Sequence, residues 1–152
     1  GRQPGEARGR CVLEDDVDRF LDVLDEADGI VIGSPVNYGG VTAISRQFLE
    51  RCSGYLYYPL GAKRGPVMRK SGSTRPVVLV SSSAAPKLFA RLFFHAIKTL
   101  RQLTKMLGGR EIGLLQVGWA TGSGDPVTEP LLRRARVLGV ELAMAKRERQ
   151  SA

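Results

Sequence analysis

The chain has 152 residues, 43% of them hydrophobic and 25% charged, with a formal net charge of +8 and two cysteines. That is enough for one domain with a real core, and two cysteines without ligand spacing speak against a disulfide framework or a zinc site. No apolar run approaches the roughly 20 residues that span a bilayer and no signal-peptide pattern opens the chain, so the expectation is a cytoplasmic protein with no membrane partner.

The basic residues are scattered. Arg2, Arg8 and Arg10 lie near the start, Lys63, Arg64, Arg69, Lys70 and Arg75 in the middle, and Arg91, Lys98, Arg101 and Lys105 on a helix. Aromatic residues do not interleave with them as they would on a base-stacking platform. No nucleic-acid partner is expected; the charge favours phosphorylated small molecules instead.

Residues 1–10 read as a flexible opening stretch. Asp15 to Ala27 predicts a helix, with Asp15 and Asp16 at its positive end and Val17, Phe20, Leu21 and Leu24 on one face. Gly29 to Gly33 follows as a strand, and the β-branched run Ile30, Val31, Ile32 predicts a parallel strand covered on both faces. Ser34, Pro35, Gly39 and Gly40 break it. From Val41 the apolar spacing through Ile44, Phe48, Leu49 and Cys52 turns helical. The loop between such a strand and helix lies at the strand's carboxyl end, where doubly wound α/β proteins bind ligands.

Gly54 to Arg75 reads as a long irregular connection, of a length that is functional or mobile. Pro76 to Val80 predicts a second buried strand, ending in Ser81-Ser82-Ser83-Ala84-Ala85-Pro86. One long helix is then expected, with Leu88, Leu92, Ala96, Leu100, Leu103 and Leu107 on one side and Gly108-Gly109 as its stop. His95 falls inside that helix with no partner for a nucleophilic dyad, and reads as a packing or surface residue. Ile112 to Gly118 predicts a third strand; Trp119 beyond it either lines a ligand site or caps the core. Gly122-Ser123-Gly124-Asp125 is too common a composition to be a phosphate cradle by itself. A last helix starts at Thr128, with Pro130 in its first turn and Leu131, Ala135, Leu138 and Leu142 inward. Residues 146–152 form a basic tail. The alternation αβαβαβα predicts an α/β fold of parallel strands joined by right-handed crossovers, in one domain over residues 11–145.

Asp15-Asp16, Ala27-Asp28-Gly29, the strand Ile30 to Ile32, Gly33-Ser34-Pro35-Val36, Tyr38-Gly39 and Glu50-Arg51-Cys52 stand in an order and spacing that resembles the NADPH-dependent FMN reductase branch of the flavodoxin-like superfamily. The resemblance runs from about Gly9 to Ala143 and is strongest up to Cys52. It implies a flavodoxin-like three-layer α/β/α sandwich with a parallel sheet, N-terminally incomplete. In the strand order 2-1-3-4-5 of that fold, the chain enters just before the helix preceding strand three, without the first two strands and the phosphate loop. A fragment of a longer protein is the expectation, a truncated relative that has lost the flavin's phosphate anchor the alternative, with Ile30 to Ile32 at the sheet edge.

The resemblance further implies FMN as cofactor, NAD(P)H as electron donor, and a quinone, free flavin or other small-molecule electron acceptor, in a homo-oligomer. In such enzymes the cofactor carries the reactivity while the protein aligns two rings, so no catalytic side chain is named. The family's loop along the isoalloxazine ring, whose backbone groups meet the ring's polar edge, falls on Ser34, Pro35, Val36, Asn37, Tyr38, Gly39 and Gly40. Asn37 stands where the family has an aromatic, with Tyr38 next, which favours backbone contact over ring stacking. The second flavin-side loop falls by position on Ser81, Ser82, Ser83 and Ala84, a turn that reads equally as a helix cap. Tyr55, Tyr57 and Tyr58 fit either a flavin shield across a dimer interface or an aromatic cluster beneath the long loop. Of the cysteine pattern of iron-sulfur relatives, Gly9-Arg10-Cys11 matches only the last element, so no cluster is implied. Two other readings stay open: a flavodoxin-like electron carrier without a nicotinamide site, and a truncated, flavin-free binding module.

Overall fold

The computed structural model describes residues 8–59, 65–69, 75–121 and 127–150, the last five of these without their side chains. Helix α1 (Asp16–Glu26) is capped by Asp15, whose carboxylate accepts from the Val17 amide at 3.1 Å, the usual way to satisfy a free amide at a helix start. Strand β1 (Ile30–Pro35) leads into α2 (Ala43–Arg51), capped by the Thr42 hydroxyl, which accepts from the Ser45 amide. A single 3₁₀ turn over Cys52–Tyr55 follows. Within the connection expected to be irregular, β2 (Leu56–Tyr57) and β3 (Val67–Met68) form a short antiparallel ladder. Then come β4 (Arg75–Ser82), α3 (Lys87–Phe93), α4 (Ala96–Met106), β5 (Gly109–Val117) and α5 (Glu129–Gln150).

Strands β1, β4 and β5 form one parallel sheet in that order. Pro35 stands opposite Ser82, and Ser82 opposite Val117, so the three strands end level and their following loops leave from one rim. On one face Ile30, Val77 and Leu79 pack with Leu21 of α1 and Leu100, Leu103 and Leu107 around α4, joined by Cys52 and Tyr55. Burying each such leucine fully contributes about 1.5–3 kcal/mol. On the other face α5 lies close enough that a Cβ at Gly113 would collide with Leu138, and one at Gly29 would stand 3.0 Å from Leu142 Cδ1. Helices thus cover both sides of the sheet, the three-layer α/β/α arrangement expected. β1 is the edge strand among the described residues, so Val31 is not covered on both faces: it is 60% exposed.

The single helix expected from Lys87 to Leu107 is two. Phe94 is extended (φ −103°, ψ 146°) and His95 caps α4 instead of lying inside a helix. The reason is tertiary: the His95 amide donates to the Gly39 carbonyl at 2.7 Å, a bond that a continuous helix would have kept within itself. The inward stripe accordingly begins at Ala96, while Leu88 and Leu92 are exposed. Phe20 also departs from the expected inward face of α1; half-exposed, it meets Phe48 edge-on with centroids 5.6 Å apart.

Within the opening stretch, the Gly9 amide donates to the Gly54 carbonyl at 2.9 Å. The buried Arg8 guanidinium donates to the carboxylates of Asp18, Asp22 and Asp25. Burial opposes the charge on Arg8, but its hydrogen bonds with Asp18 and Asp22 outweigh that and move its pKa up. The Tyr55 hydroxyl donates to Asp25 at 3.0 Å from a fully buried ring. Tyr55 is therefore a core residue; Tyr57 lies under the Arg69 guanidinium, 5.7 Å from its ring centre, and Tyr58 is exposed.

Candidate functional site

The loop after β1 is built as a tight reverse turn. The Asn37 amide donates to the Gly40 carbonyl at 2.8 Å and the Gly40 amide returns the bond at 2.9 Å. Between them Tyr38 (φ 48°) and Gly39 (φ 78°) are both left-handed, the pairing of a type I′ turn. Glycine suits its place because any other residue would be strained at this φ; a Cβ there would stand in ordinary contact with the ring, 3.4 Å from Phe94 Cδ1. The turn's base is fixed to the neighbouring strand by the Val36 amide, which donates to the Ser82 carbonyl at 2.7 Å.

The second loop is shaped by its serines. Ser83 donates its amide to the Val117 carbonyl at 2.9 Å and its hydroxyl to the Ala85 carbonyl at 2.9 Å. No side chain caps α3, whose N-cap is Pro86, so the serine turn is not a helix cap. The Ala120 amide donates to the Ser83 carbonyl at 2.9 Å and the Trp119 amide to Ala85, tying the loop after β5 to the same rim. Trp119 is left-handed (φ 57°) and exposed, which removes it from the core.

Val36, Tyr38 and Gly39 of the first loop and Ser83, Ala84 and Ala85 of the second line one cleft of about 360 Å³, closed on one side by Phe94. No carboxylate, amine or guanidinium lines it among the described residues. The amides of Val36, Asn37, Gly40 and Ser83 are spent on the backbone, whereas those of Tyr38, Gly39, Ala84 and Ala85 find no backbone acceptor among the described residues. The cleft therefore offers neutral amide donors, an aromatic wall and a bare glycine, and suits a flat molecule with acceptors along one edge.

The expected residues divide accordingly. Ser34 is buried and closes the loop from within, accepting from the Thr42 amide at 3.2 Å and donating to the Pro35 carbonyl at 3.0 Å. Ser81 is fully buried beneath the rim and its hydroxyl has no partner among the described residues. Pro35, Asn37, Gly40 and Ser82 frame the loops without lining the cleft, leaving Val36, Tyr38, Gly39, Ser83 and Ala84 as its walls. Phe94 is the residue that sequence reasoning missed. It carries no motif, and the leucine spacing around it continues as if the helix were unbroken. The candidate phosphate turn Gly122 to Asp125 lies outside the described residues. Among those that are described, no three His, Cys, Asp or Glu side chains gather as a metal ion requires, and no helix is long and apolar enough to cross a membrane.

The chain is similar to known flavoproteins. An iron-sulfur flavoprotein of Archaeoglobus fulgidus is 29% identical over 143 residues, which is 91% of this chain and 56% of that protein. An iron-sulfur flavoprotein of Methanocaldococcus jannaschii is 49% identical over 43 residues, 28% of this chain and 22% of that protein. The chain thus spans little more than half the length of the longer-matched relative. Among solved structures, an oxidoreductase from Corynebacterium diphtheriae superposes with a TM-score of 0.60 at 16% identity, covering 90% of this chain and 65% of that one. An FMN-dependent NADH-azoreductase from Bacillus anthracis, solved with FMN, gives 0.57 at 17% identity over 86% of this chain and 60% of that one. These likenesses show the flavodoxin-like fold. The family model for NADPH-dependent FMN reductase matches residues 3–120, most of the chain, and the chain belongs to that family.

Proposed function

We propose that this chain supplies the ring-binding half of an FMN-dependent oxidoreductase in which NAD(P)H is the electron donor and a quinone, free flavin or other small molecule the acceptor. The observation that carries it is a cleft at the carboxyl rim of the parallel sheet, lined by the type I′ turn and the serine loop, whose Tyr38, Gly39, Ala84 and Ala85 amides have no backbone acceptor among the described residues. Bound FMN supplies the hydride and electron transfer. The protein's part is to orient the ring and shield one side of it. The amides of Tyr38, Gly39, Ala84 and Ala85 are the groups that would hold the ring's polar edge, as neutral donors without a counter-charge. Phe94 and Val36 keep water from the cleft's apolar side.

The names of the curated relatives also bring an iron-sulfur cluster into view. These residues do not fit one: the chain holds two cysteines, and Cys52 is fully buried with burial pushing its thiol up to about 12, far from the thiolate a cluster needs.

Titrating the protein into FMN while following flavin fluorescence tests the reading. Weak but saturable quenching is expected at high protein concentration, and loss of the yellow colour when NADH or NADPH is added without oxygen is expected of the chain extended by a strand, loop and helix ahead of α1. Fluorescence unchanged at the highest protein concentration overturns it, and quenching without bleaching by either nucleotide leaves an electron carrier in place of a reductase.

A further inference from the structure

We propose that Phe94 is a positioning residue, and that the break between α3 and α4 is a clasp holding the tip of the β1–α2 turn in its ligand-presenting shape. The tip has little of its own to hold it. Tyr38 takes a left-handed backbone that non-glycine residues disfavour, and its side chain is fully exposed, so no packing of its own offsets that cost. The two bonds between Asn37 and Gly40 close the turn on itself, but they do not tie its tip to any neighbouring element.

What ties the tip comes from the helix break. The Phe94 ring lies over Gly39, and the next residue, His95, donates its amide to the Gly39 carbonyl at 2.7 Å. Phe94 is itself fixed from behind. Its amide donates to the Ala90 carbonyl at 3.2 Å, and its ring meets Phe89 edge-on at 83° with centroids 5.7 Å apart. Interrupting a helix sacrifices intrahelical bonds, and no proline or glycine between Lys87 and Met106 forces it. The compensating contacts are those with the turn. Because the same ring walls the cleft, whatever binds there touches the clasp directly and is held in register with the amides of Tyr38 and Gly39.

The ligand's identity rests on the flavin reading; the clasp does not, so the test has two arms. In the ligand-free protein, amide hydrogen exchange of Phe94→Ala is compared with Phe94→Leu, which keeps an apolar group over Gly39. Phe94→Ala is expected to lose protection at the amides of Asn37, Gly40 and His95 by about tenfold or more while those of Val78 and Leu79 in β4 keep theirs, and Phe94→Leu to recover most of it. Unchanged turn protection, or equal loss in β4, overturns the clasp. In the second arm, FMN affinity read by flavin fluorescence falls in step with turn protection in Phe94→Ala and returns in Phe94→Leu. A loosened turn with undiminished affinity overturns the positioning role, whereas absence of FMN binding by the unmodified protein overturns the flavin reading and leaves the clasp to be judged by exchange alone.

Discussion

Gly39 is where backbone conformation, the clasp and the cleft meet. Its φ of 78° suits glycine, and a Cβ there would be in van der Waals contact with Phe94 at 3.4 Å, so the penalty for a side chain lies in the backbone. A β-branched residue at such a φ costs on the order of 1–3 kcal/mol, and the turn escapes that cost by moving away from the cleft. Gly39→Val is therefore expected to weaken FMN retention, by about tenfold or more, and to do so more than His95→Ala, which removes an exposed side chain but leaves the amide that grips Gly39. Equal retention in the two variants, measured by flavin fluorescence, would remove the loop from the site. The cysteines allow a test that needs no ligand. Burial holds the Cys52 thiol protonated, shifting it from 9.0 to about 12, whereas Cys11 is partly exposed. Thiol titration with a disulfide reagent at mildly alkaline pH should find Cys11 reacting at once and Cys52 only as the chain unfolds. The sign is that of an acid kept neutral by folding. The contribution is whole below the ordinary thiol value and is lost as pH rises toward about 12, so alkaline denaturation should coincide with labelling of Cys52.

Each element shows how far local pattern reaches. α5 docks through Leu138 against Gly113 and Leu142 against Gly29, and a methyl at Gly113 would overlap the Leu138 side chain. Gly113→Ala should lower stability by about 1–3 kcal/mol, the cost of overpacking a tight site, read as a shifted denaturant midpoint with unchanged slope; a neutral result would show that α5 can slide. The strands were legible because Ile30-Val31-Ile32 and Val77-Val78-Leu79-Val80 are apolar and largely β-branched runs too short for helices, bounded by glycine, proline and serine. The first cleft loop was legible for a related reason, since Gly39 follows a strand end and so marks a turn. The α3–α4 break was not. Leu88, Leu92, Ala96, Leu100 and Leu103 keep a spacing of three and four throughout, and Phe94 and His95 carry no stop signal. The interruption is imposed by a carbonyl 56 residues earlier in the chain, Gly39, which no local window contains.

At the scale of the whole molecule, the side of the sheet beyond β1 is unfinished among the described residues. The outer edge of β1 adjoins an apolar groove of about 350 Å³ walled by Phe20, Leu24, Ile32, Ile44 and Phe48. Ile44 is 75% exposed there, while Val31 on the opposite face and Val137, Val140 and Met144 along α5 are exposed as well. Open edges flanked by apolar side chains are adhesive, so the 152 residues alone should associate in a concentration-dependent way on size-exclusion chromatography. A parallel strand laid along β1 would pair the free edge and fill the groove with alternate side chains, and the loop after it would leave from the same carboxyl rim as the two cleft loops. That loop is where a phosphate can be met. FMN's phosphate carries nearly two negative charges near neutral pH, and among the described residues no cationic side chain lines the cleft to meet it. Charge-assisted hydrogen bonds are worth about 1.5–3 kcal/mol each, and two of them change affinity by about a hundredfold or more. The 152 residues should thus bind FMN weakly and purify colourless. The same chain carrying an upstream strand, loop and helix should bind orders of magnitude more tightly, retain colour and be bleached by NAD(P)H. Parallel fluorescence titrations of the two proteins decide it: equal affinities would mean that the cleft between Gly39 and Ala84 already holds the whole cofactor, and the open edge of β1 would then need another occupant.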